Sequence, residues 1–414
     1  MSIHNTPEKE LAEIDRSSRV ITQRDAVAII ATLDTKGDEV RYVSAALAAH
    51  GRSIVVFDIG TSGPFAKDHV SGGKASPSEL LAVISKDVGK ELTSRIHDGE
   101  ITAVLGIAGG KGSAAFGLIV SDLPYGFPKM LVSSARPALL ADLARTNDLI
   151  FYSTLVDLFG LNDFTEAVLT NATNAIAMMR FQQSRRSDRL IVAITAFGVT
   201  TPAVSLCVSQ LKRAGIDSVV FPANGAGGQT MEKLIREGHF VGVVDLTTTE
   251  LADEFVGGTA SAGPYRMTAA SQRGIPQLIA PGAIDMVNFG SLSSVPTKFQ
   301  DRILFAHTPF TTVMRTTPLE NLDIGRLTAN KLSKSSGQVC VMWPKNGFSD
   351  YDRDDGIFFD PIADQAWLKG LKECLRPEIN IFELNCHIND PEFAEAASAW
   401  IIHQLIKEKP SENV

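Results

Sequence analysis

Two glycine-rich stretches of this chain have the residue types and spacing to bind an anion. The first stretch is Gly109-Gly110-Lys111-Gly112-Ser113. The second runs from residue 225 to 228 and contains Gly227 and Gly228. Each follows an apolar run and precedes a helical pattern, so each predicts a strand, a tight turn and a helix N-terminus. Unpaired backbone N–H groups and the positive end of the helix dipole meet at such a turn, which suits a phosphate or carboxylate. A plain tight turn is the alternative, because glycine enables both.

The spacing of the first stretch excludes two familiar phosphate motifs. A Walker A motif has four residues between its first glycine and Gly-Lys-Ser/Thr. Here three residues separate Gly106 from Gly110, and Gly112 follows Lys111. The pattern Gly-x-Gly-x-x-Gly is also absent from this stretch. The motif therefore predicts where an anion would bind and leaves the kind of anion open.

Further polar residues follow the apolar runs of the first half. Asp34, Thr35 and Lys36 come directly after one run, and a cation beside a hydroxyl at a helix start suits a nucleotide phosphate. Helix capping by Asp34, with a solvated Lys36, is the alternative. Asp58 ends the next run, at the place where Rossmann-like folds hold a ribose hydroxyl. Arg136 adds a cation near the predicted site.

The second half contains candidates for catalysis. Arg315 can hold a carboxylate or phosphate through two hydrogen bonds. Glu250 and His307 are candidates for moving protons, as are Asp285 and His387. The alternative for each histidine is a structural role. No paired cysteines, H-E-x-x-H or G-x-S-x-G pattern is present, so no metal site is predicted and the reaction type stays open.

The order of the predicted elements indicates an α/β protein. Strand-length apolar runs alternate with helical patterns in both halves, which is typical of mainly parallel sheets covered on both faces. A chain of 414 residues is also too long for one ordinary core. We therefore predict a polar tail (1–24), a Rossmann-like ATP- or anion-binding domain (25–184) and a second Rossmann-like domain (185–414), with a cleft between the two domains.

Composition excludes several classes of function. A net charge of −8 gives no basic surplus for nucleic acid. No apolar run approaches the roughly 20 residues that span a bilayer, and residues 1–19 contain no apolar core of a secretory signal. The four cysteines are scattered, which predicts neither disulfides nor a thiolate metal site. We expect a cytoplasmic protein that binds neither nucleic acid nor membranes.

A set of ordered passages carries a resemblance to a known family. The passages are Ala31-Thr-Leu-Asp-Thr-Lys36, Gly106-Ile-Ala-Gly-Gly110, Leu123-Pro-Tyr-Gly-Phe-Pro-Lys129, Ser153-Thr-Leu-Val-Asp157, Phe197-Gly-Val-Thr-Thr-Pro202, Gly225-Ala-Gly-Gly228, Asp245-Leu-Thr-Thr-Thr-Glu250, Pro281-Gly-Ala-Ile-Asp-Met-Val-Asn-Phe-Gly290, Met314-Arg-Thr-Thr317 and His387-Ile-Asn-Asp390. Together they resemble the Tm-1-like ATP-binding domain family (UPF0261) over about residues 25–405. The resemblance implies two Rossmann-like domains, ATP binding that allows Mg²⁺ alongside the nucleotide, and a homodimer. It also implies that Asp34, Thr35, Lys36 and the turn 109–112 contact the nucleotide.

Three functions are consistent with these observations. The first is a Tm-1-like protein that holds a nucleotide or another phosphate at its glycine turns. The second is a metabolic enzyme for a small carboxylate or sugar acid, because the strand ends are richer in polar residues than nucleotide binding demands. Lys111 stands where the family's loop commonly has serine, and there it would add a phosphate contact, block close approach or select a different anion. Lys111, Arg136 and Arg315 would then hold that substrate. The third is a non-catalytic inhibitory or binding module.

Overall fold

A computed structural model describes residues 25–61, 63–66, 76–182 and 189–407. These residues form two compact units, whose described parts are 25–182 and 189–407. The predicted tail 1–24 and the predicted boundary at 184/185 lie outside the described residues. Each unit is built on a parallel sheet with helices, which confirms the predicted α/β, Rossmann-like fold class.

The first unit contains a five-stranded parallel sheet in the order β2-β1-β3-β4-β5. Its described elements are β1 (Ala26–Ala31), α1 (Leu33–Ala49), β2 (Ser53–Asp58), α2 (Pro77–His97), β3 (Ile101–Ala108), α3 (Gly110–Val120), β4 (Lys129–Ser133), α4 (Pro137–Thr146), β5 (Ile150–Ser153) and α5 (Asp163–Met178). Every residue of β1 is buried, because helices cover both faces of the sheet. This is why β1 is a continuous apolar run in the sequence.

Helices leave β1 and β3 toward opposite faces of this sheet. Val43 of α1 belongs to the same buried cluster as Leu169 of α5. Val88 of α2 and Phe116 of α3 belong to the cluster on the other face. Strands are therefore added to the sheet in opposite directions from the neighbouring strands β1 and β3: β2 lies beside β1, and β4 and β5 lie beyond β3. In parallel α/β sheets, ligands bind outside the carboxyl ends of the strands at such a switch point.

The second unit contains a six-stranded parallel sheet and a small antiparallel one. Their orders are β14-β13-β9-β8-β6-β7 and β10-β12-β11. The described elements are β6 (Ile191–Ala196), α6 (Thr201–Arg213), β7 (Asp217–Pro222), α7 (Ala226–Arg236), β8 (Gly242–Thr247), α8 (Thr249–Val256), α9 (Ala269–Arg273), β9 (Gln277–Gly282), β10 (Met286–Phe289), β11 (Leu304–Thr308), β12 (Thr311–Arg315), α10 (Pro318–Leu332), β13 (Val339–Pro344), α11 (Pro361–Cys374), β14 (Asn380–Leu384) and α12 (Pro391–Lys407). The antiparallel sheet was not predicted from the sequence.

The two glycine turns occupy different positions in their sheets. The order β7-β6-β8-β9 repeats the order β2-β1-β3-β4 of the first unit. The first glycine turn follows β3, the third strand, at the switch point of its sheet. The second follows β7, which is the second strand of its unit and lies at the sheet edge. The two turns look equivalent in the sequence, but they occupy different positions in their sheets.

Gly106 allows α3 to lie close to β3, and its replacement tests that packing. A Cβ atom at position 106 would lie 2.6 Å from Cδ2 of Phe116 and 2.8 Å from Cδ1 of Leu131. We expect Gly106→Val to lower the free energy of unfolding by about 1–3 kcal/mol, because the added side chain overpacks the core there. Urea unfolding measures this. Gly110→Ala is the control, since a Cβ there has no neighbour within 4 Å. Equal stability of both variants would contradict the close packing of α3 on β3.

Candidate functional site

The first glycine turn leaves backbone donors unused. Gly109 is the N-cap of α3 and has an extended backbone, and the helix begins at Gly110. The N–H groups of Gly110, Lys111 and Gly112 have no acceptor within the helix, because they belong to its first turn. No described residue outside the helix accepts a hydrogen bond from them either. Gly110 and Lys111 are exposed. The turn therefore offers a set of free N–H donors beside an exposed lysine.

Ser113 stabilises this turn from its buried side. Its hydroxyl donates to the carbonyl of Gly109 at 2.8 Å and lies 2.7 Å from the hydroxyl of Ser133. The Ser133 hydroxyl in turn accepts a hydrogen bond from the N–H of Ala135 at 2.9 Å. Ser113 is buried. It therefore ties the turn to the segment after β4 and does not point toward an external ligand.

The segment after β1 lies at the same end of the sheet as the first glycine turn, because β1 and β3 are neighbouring parallel strands. Thr32 is the N-cap of α1, and Asp34 and Thr35 are exposed in the first turn. Lys36 is only 8% exposed, and its ammonium donates to the carbonyl of Leu158. It forms no ion pair with a carboxylate in the described part of the chain. A buried charge is normally paired, so this ammonium can accommodate an anion.

Two more predicted residues lie at this end of the sheet. Asp58 accepts hydrogen bonds from the N–H of Leu33 at 3.0 Å and of Gly60 at 2.9 Å through the same oxygen. It therefore fixes the start of α1 against the end of β2. Arg136 is exposed and is the N-cap residue of α4. Because β3 pairs with β4, Arg136 and Lys111 follow neighbouring strands.

The second glycine turn already holds an anion, the carboxylate of Glu250. Its Oε1 accepts hydrogen bonds from the N–H of Gly225 at 2.7 Å and of Gly228 at 3.1 Å. The side chain of Asn224 accepts from the N–H of Gly227 at 3.0 Å. A Cβ atom at position 228 would collide with the Glu250 carboxylate. Gly228 therefore makes room for a side chain of the protein itself.

Arg266 compensates the charge of Glu250 in the core. Its side chain is 1% exposed, its Nε donates to Glu250 at 2.5 Å, and both of its terminal nitrogens donate to Asp245 at 2.6 Å. Glu232 lies 3.5 Å away. Burial raises the pKa of Glu250, and Arg266 opposes that shift. Glu250 is 0% exposed, so this geometry gives it a positioning role in the turn.

Arg315 is also saturated by internal partners. It is 3% exposed and donates to the carbonyl of Phe358 at 2.6 Å and to Asp364 at 2.9 Å. Asp352 lies 3.3 Å away. The guanidinium therefore joins β12 to the segment before α11 and to α11 itself. No donor of Arg315 is left facing solvent for a substrate.

Asp285 lies beside this arginine cluster and is completely buried. The hydroxyl of Ser349 donates to its Oδ2 at 2.7 Å, while its Oδ1 has no partner among the described residues. Burial raises the pKa of Asp285 to about 7, and Asp352 adds to that shift. An unpaired buried carboxylate oxygen is consistent with a carboxyl group that carries a proton near neutral pH.

The two predicted histidines differ in accessibility. His387 is 3% exposed, accepts from the N–H of Asn389 at 3.1 Å and lies 2.9 Å from the carbonyl of Ser349. Burial lowers its pKa, so the ring is neutral and Nε2 donates. His307 is exposed, and its Nδ1 lies 2.6 Å from the hydroxyl of Tyr351. Among the predicted proton-transfer residues, only His307 faces solvent.

Sequence reasoning missed several residues that shape these sites. Arg266 lies in an irregular segment with no periodic or motif signal. Asp157 accepts from the hydroxyl of Ser134 at 2.9 Å, and Leu158 accepts from Lys36. These two residues lie in or next to the passage 153–157 that carries the family resemblance, which was the available signal. Both lie in the loop 154–162 between β5 and α5.

Two features are absent from the described ranges. No group of three or more His, Cys, Asp or Glu side chains there is arranged to hold a metal ion. None of the helices in the part of the chain that the structure describes has the length and apolar character needed to cross a bilayer.

The two sheets, with a glycine turn at the switch point of the first, define a two-unit α/β protein of the Rossmann-like class. Comparison with known proteins gives the family. The chain belongs to the Uncharacterised protein family (UPF0261), since residues 25–185 match its N-terminal domain and residues 189–405 its C-terminal domain. This confirms the family resemblance seen in the sequence.

Relatives from bacteria and a plant are similar over most of the chain. A UPF0261 protein of Clostridium tetani is 34% identical and covers 92% of this chain and 99% of its own. One from Rhizobium meliloti is 36% identical, covering 90% of this chain and 97% of its own. The ToMV resistance protein Tm-1(GCR237) of Solanum lycopersicum is 35% identical over 76% of this chain and 43% of its own length. This chain thus spans less than half of the tomato protein.

Replacing Arg266 tests whether the Glu250 network holds the second unit together. We expect Arg266→Met to lower the free energy of unfolding by about 3–5 kcal/mol, because it leaves buried carboxylates unpaired. Arg41→Met is the matched control, because the Arg41–Asp38 ion pair is exposed, at 58% and 61%, and exposed pairs contribute little. Denaturant unfolding measures both. A small effect of Arg266→Met would show that the network is not needed for stability.

The pKa of Asp285 predicts a pH dependence of stability. Its pKa of about 7 in the folded protein exceeds the value of roughly 3.9 in an unfolded chain. The folded state therefore binds more protons, and the free energy of unfolding falls as pH rises through this range. We expect Asp285→Asn to gain stability relative to the wild type between about pH 5 and pH 8. Urea unfolding at both pH values measures this difference. Asp352 and Asp364 contribute to it, because Asp352 raises the pKa of Asp285 and Asp285 raises the pKa of Asp364, whereas the opposite contribution of His387 is present in both proteins. Parallel pH profiles would contradict the prediction.

Proposed function

We propose that the first unit binds a phosphate-bearing ligand, specifically ATP, at the glycine turn 109–112. The observation that carries this proposal is the set of free N–H groups of Gly110, Lys111 and Gly112 at the switch point of the sheet. A helix N-terminus with free donors favours a phosphate through both hydrogen bonds and the helix dipole. Similarity to the Tm-1-like ATP-binding family favours ATP among phosphate ligands.

The buried Lys36 is a second and independent support. Its ammonium has one carbonyl partner and no described carboxylate partner. Keeping such a charge out of water is costly unless an anion compensates it. Lys36 follows β1 and the glycine turn follows β3, and these two strands are neighbours. Lys36 thus adds positive charge at the end of the sheet where the turn lies.

Exposed residues supply the remaining contacts of the proposed site. Lys111 and Arg136 provide positive charge, which suits a ligand with more than one phosphate. Asp34 and Thr35 provide oxygen atoms near the start of α1. Mg²⁺ prefers one or two carboxylates together with substrate phosphates, so it would enter with the nucleotide. Asp34 offers an exposed carboxylate for it, whereas Asp58 already accepts two N–H groups through one oxygen.

The second glycine turn does not support a second anion site, because Glu250 fills it. The placement of Glu250 and Arg315 also gives no support to an enzyme of small acids that uses them. A homodimer and a cytoplasmic location stay predictions, which size-exclusion chromatography with light scattering and cell fractionation can test.

Titration calorimetry with Mg-ATP tests the proposal directly. We expect the wild type and Gly110→Ala to bind alike, since a Cβ at position 110 has no neighbour within 4 Å. Gly110→Asp places a carboxylate beside the free N–H groups, so the fold should persist while affinity falls about tenfold or more. Lys111→Ala should weaken binding less. Absence of heat with millimolar Mg-ATP, or full affinity in Gly110→Asp, would refute a nucleotide site at this turn.

A further inference from the structure

Strand β7 forms an edge of the six-stranded sheet in the second unit. In the part of the chain that the structure describes, it pairs with β6 on one side and with no strand on the other. Val219 and Val220 point to opposite faces of the sheet, and their exposed fractions are 40% and 44%. An exposed, apolar edge strand is a template for pairing with another strand.

The backbone of β7 directs the hydrogen-bonding groups of alternate residues toward this free edge. The N–H groups of Asp217 and Ala223 donate to carbonyl groups of the segment 190–196, at 2.9 and 2.7 Å. The register with β6 is continuous between these two bonds. The odd-numbered residues of β7 therefore face β6, and Ser218 and Val220 direct their N–H and C=O groups outward. No described residue outside the sheet bonds these four groups.

Residues 218–221 lack the features that protect sheet edges from strand addition, which are charged side chains, prolines and bulges. At the opposite edge of the same sheet, β14 carries Glu383 in an ion pair with α11. The edge strand β11 of the small sheet has an irregular register between Ala306 and Thr308. Residues 218–221 are Ser-Val-Val-Phe in regular register, and the proline of β7 is its last residue, Pro222. This edge is therefore open to a partner strand.

The free edge of β7 is complementary to itself under a two-fold rotation. An axis through Val219 places Ser218 of each copy opposite Val220 of the other. Each of these two pairs exchanges two N–H···O=C hydrogen bonds, because both residues direct their donors and acceptors outward. Val219 meets its own copy at the closely spaced position without hydrogen bonds, where β-branched side chains pack well. Asp217 lies opposite Phe221, so the rotation places no like charges opposite each other along the strand.

The size of this edge is on the scale of a stable dimer interface when the flanking helices are included. α6 and α7 both contact β7, and they cover opposite faces of the sheet, because Val204 and Met231 belong to different buried clusters. The strand and α6 are each roughly 20 Å long. Three layers of about 10 Å give the edge roughly 600 Å² in projection. Stable interfaces bury about 800 Å² of accessible surface per partner, which is a comparable size.

We propose that two copies of the chain pair antiparallel through their β7 strands, across a two-fold axis at Val219, and thereby join their six-stranded sheets into one. This axis is normal to the sheet, so α6 and α7 of each copy lie beside the same helices of the other. The start of one β7 lies at the end of the other, which separates the exposed cations Lys212 and Arg213 of the two copies. The pairing uses the second unit alone and is independent of the anion site proposed for the first.

Mass measurement by light scattering tests this interface on the full chain. The wild type should have twice the 44.5 kDa mass of one chain. Val219→Lys should have the mass of one chain at the same concentration, because the rotation would place two ammonium groups opposite each other. Val83→Lys is the matched control and should stay dimeric, since Val83 is 38% exposed on α2 of the first unit. Val220→Pro removes an N–H that faces away from β6, so the fold should persist without the dimer.

Hydrogen exchange adds a measurement that a dimer formed through another surface would not change. In the wild type the amides of Ser218 and Val220 should exchange at least about tenfold more slowly than in Val219→Lys, because they are hydrogen-bonded only in the dimer. The amides of residues 219 and 221, which face β6, should stay protected in both proteins. A monomeric wild type, or a dimeric Val219→Lys or Val220→Pro, would overturn the proposal. Fast exchange of Ser218 and Val220 in a wild-type dimer, or loss of the dimer in Val83→Lys, would also overturn it, because the copies would then meet elsewhere.

Discussion

The first turn of an α-helix leaves backbone N–H groups without acceptors, and the protein meets this constraint in two ways. At the start of α7 the acceptor is the carboxylate of Glu250, which must be buried to reach the turn. A buried carboxylate needs a cation, so Arg266 lies in the core, and Arg266 in turn needs Asp245. At the start of α3 no described side chain supplies the acceptor, and the N–H donors of Gly110 and Lys111 belong to exposed residues. One core network and one open site follow from the same physical demand.

The position of each turn in its sheet fits this difference. Both units place their first four strands in the same relative order, so the switch point of each sheet is in the corresponding place. The open turn follows β3, at the switch point where the two neighbouring strands send their helices to opposite faces. The filled turn follows β7, an edge strand away from the switch point. Topology thus distinguishes two turns that are both rich in glycine and both precede a helix.

The sequence predicts the fold well, because the parallel strands are buried on both faces and appear as continuous apolar runs. Strands β10 and β12 were missed, since they are short and their pairing depends on residues far apart in the chain. The sequence predicted one site from the turn 109–112 together with Asp34, Thr35 and Lys36. The pairing of β1 with β3 brings these two segments to the same end of the sheet. The partner of Lys36 could not be predicted, because Leu158 is 122 positions away and contributes only a carbonyl group. Glu250 and Arg315 have the residue types of catalytic groups, which is why the sequence made them candidates. Their burial and their ion pairs are set by distant segments, so the sequence alone could not predict either.

The carboxylate that fills the second turn also determines how each unit responds to its surroundings. Glu250 is covalently part of the chain, so its effective concentration at the turn does not change with the solution around it. The second unit therefore has an acceptor at this turn whenever it is folded. Under the proposed function the first unit takes its anion from solution, and its stability is then linked to the concentration of that anion. Metabolic conditions that change this concentration would shift the resistance of the first unit to unfolding and proteolysis, while the second unit would stay constant.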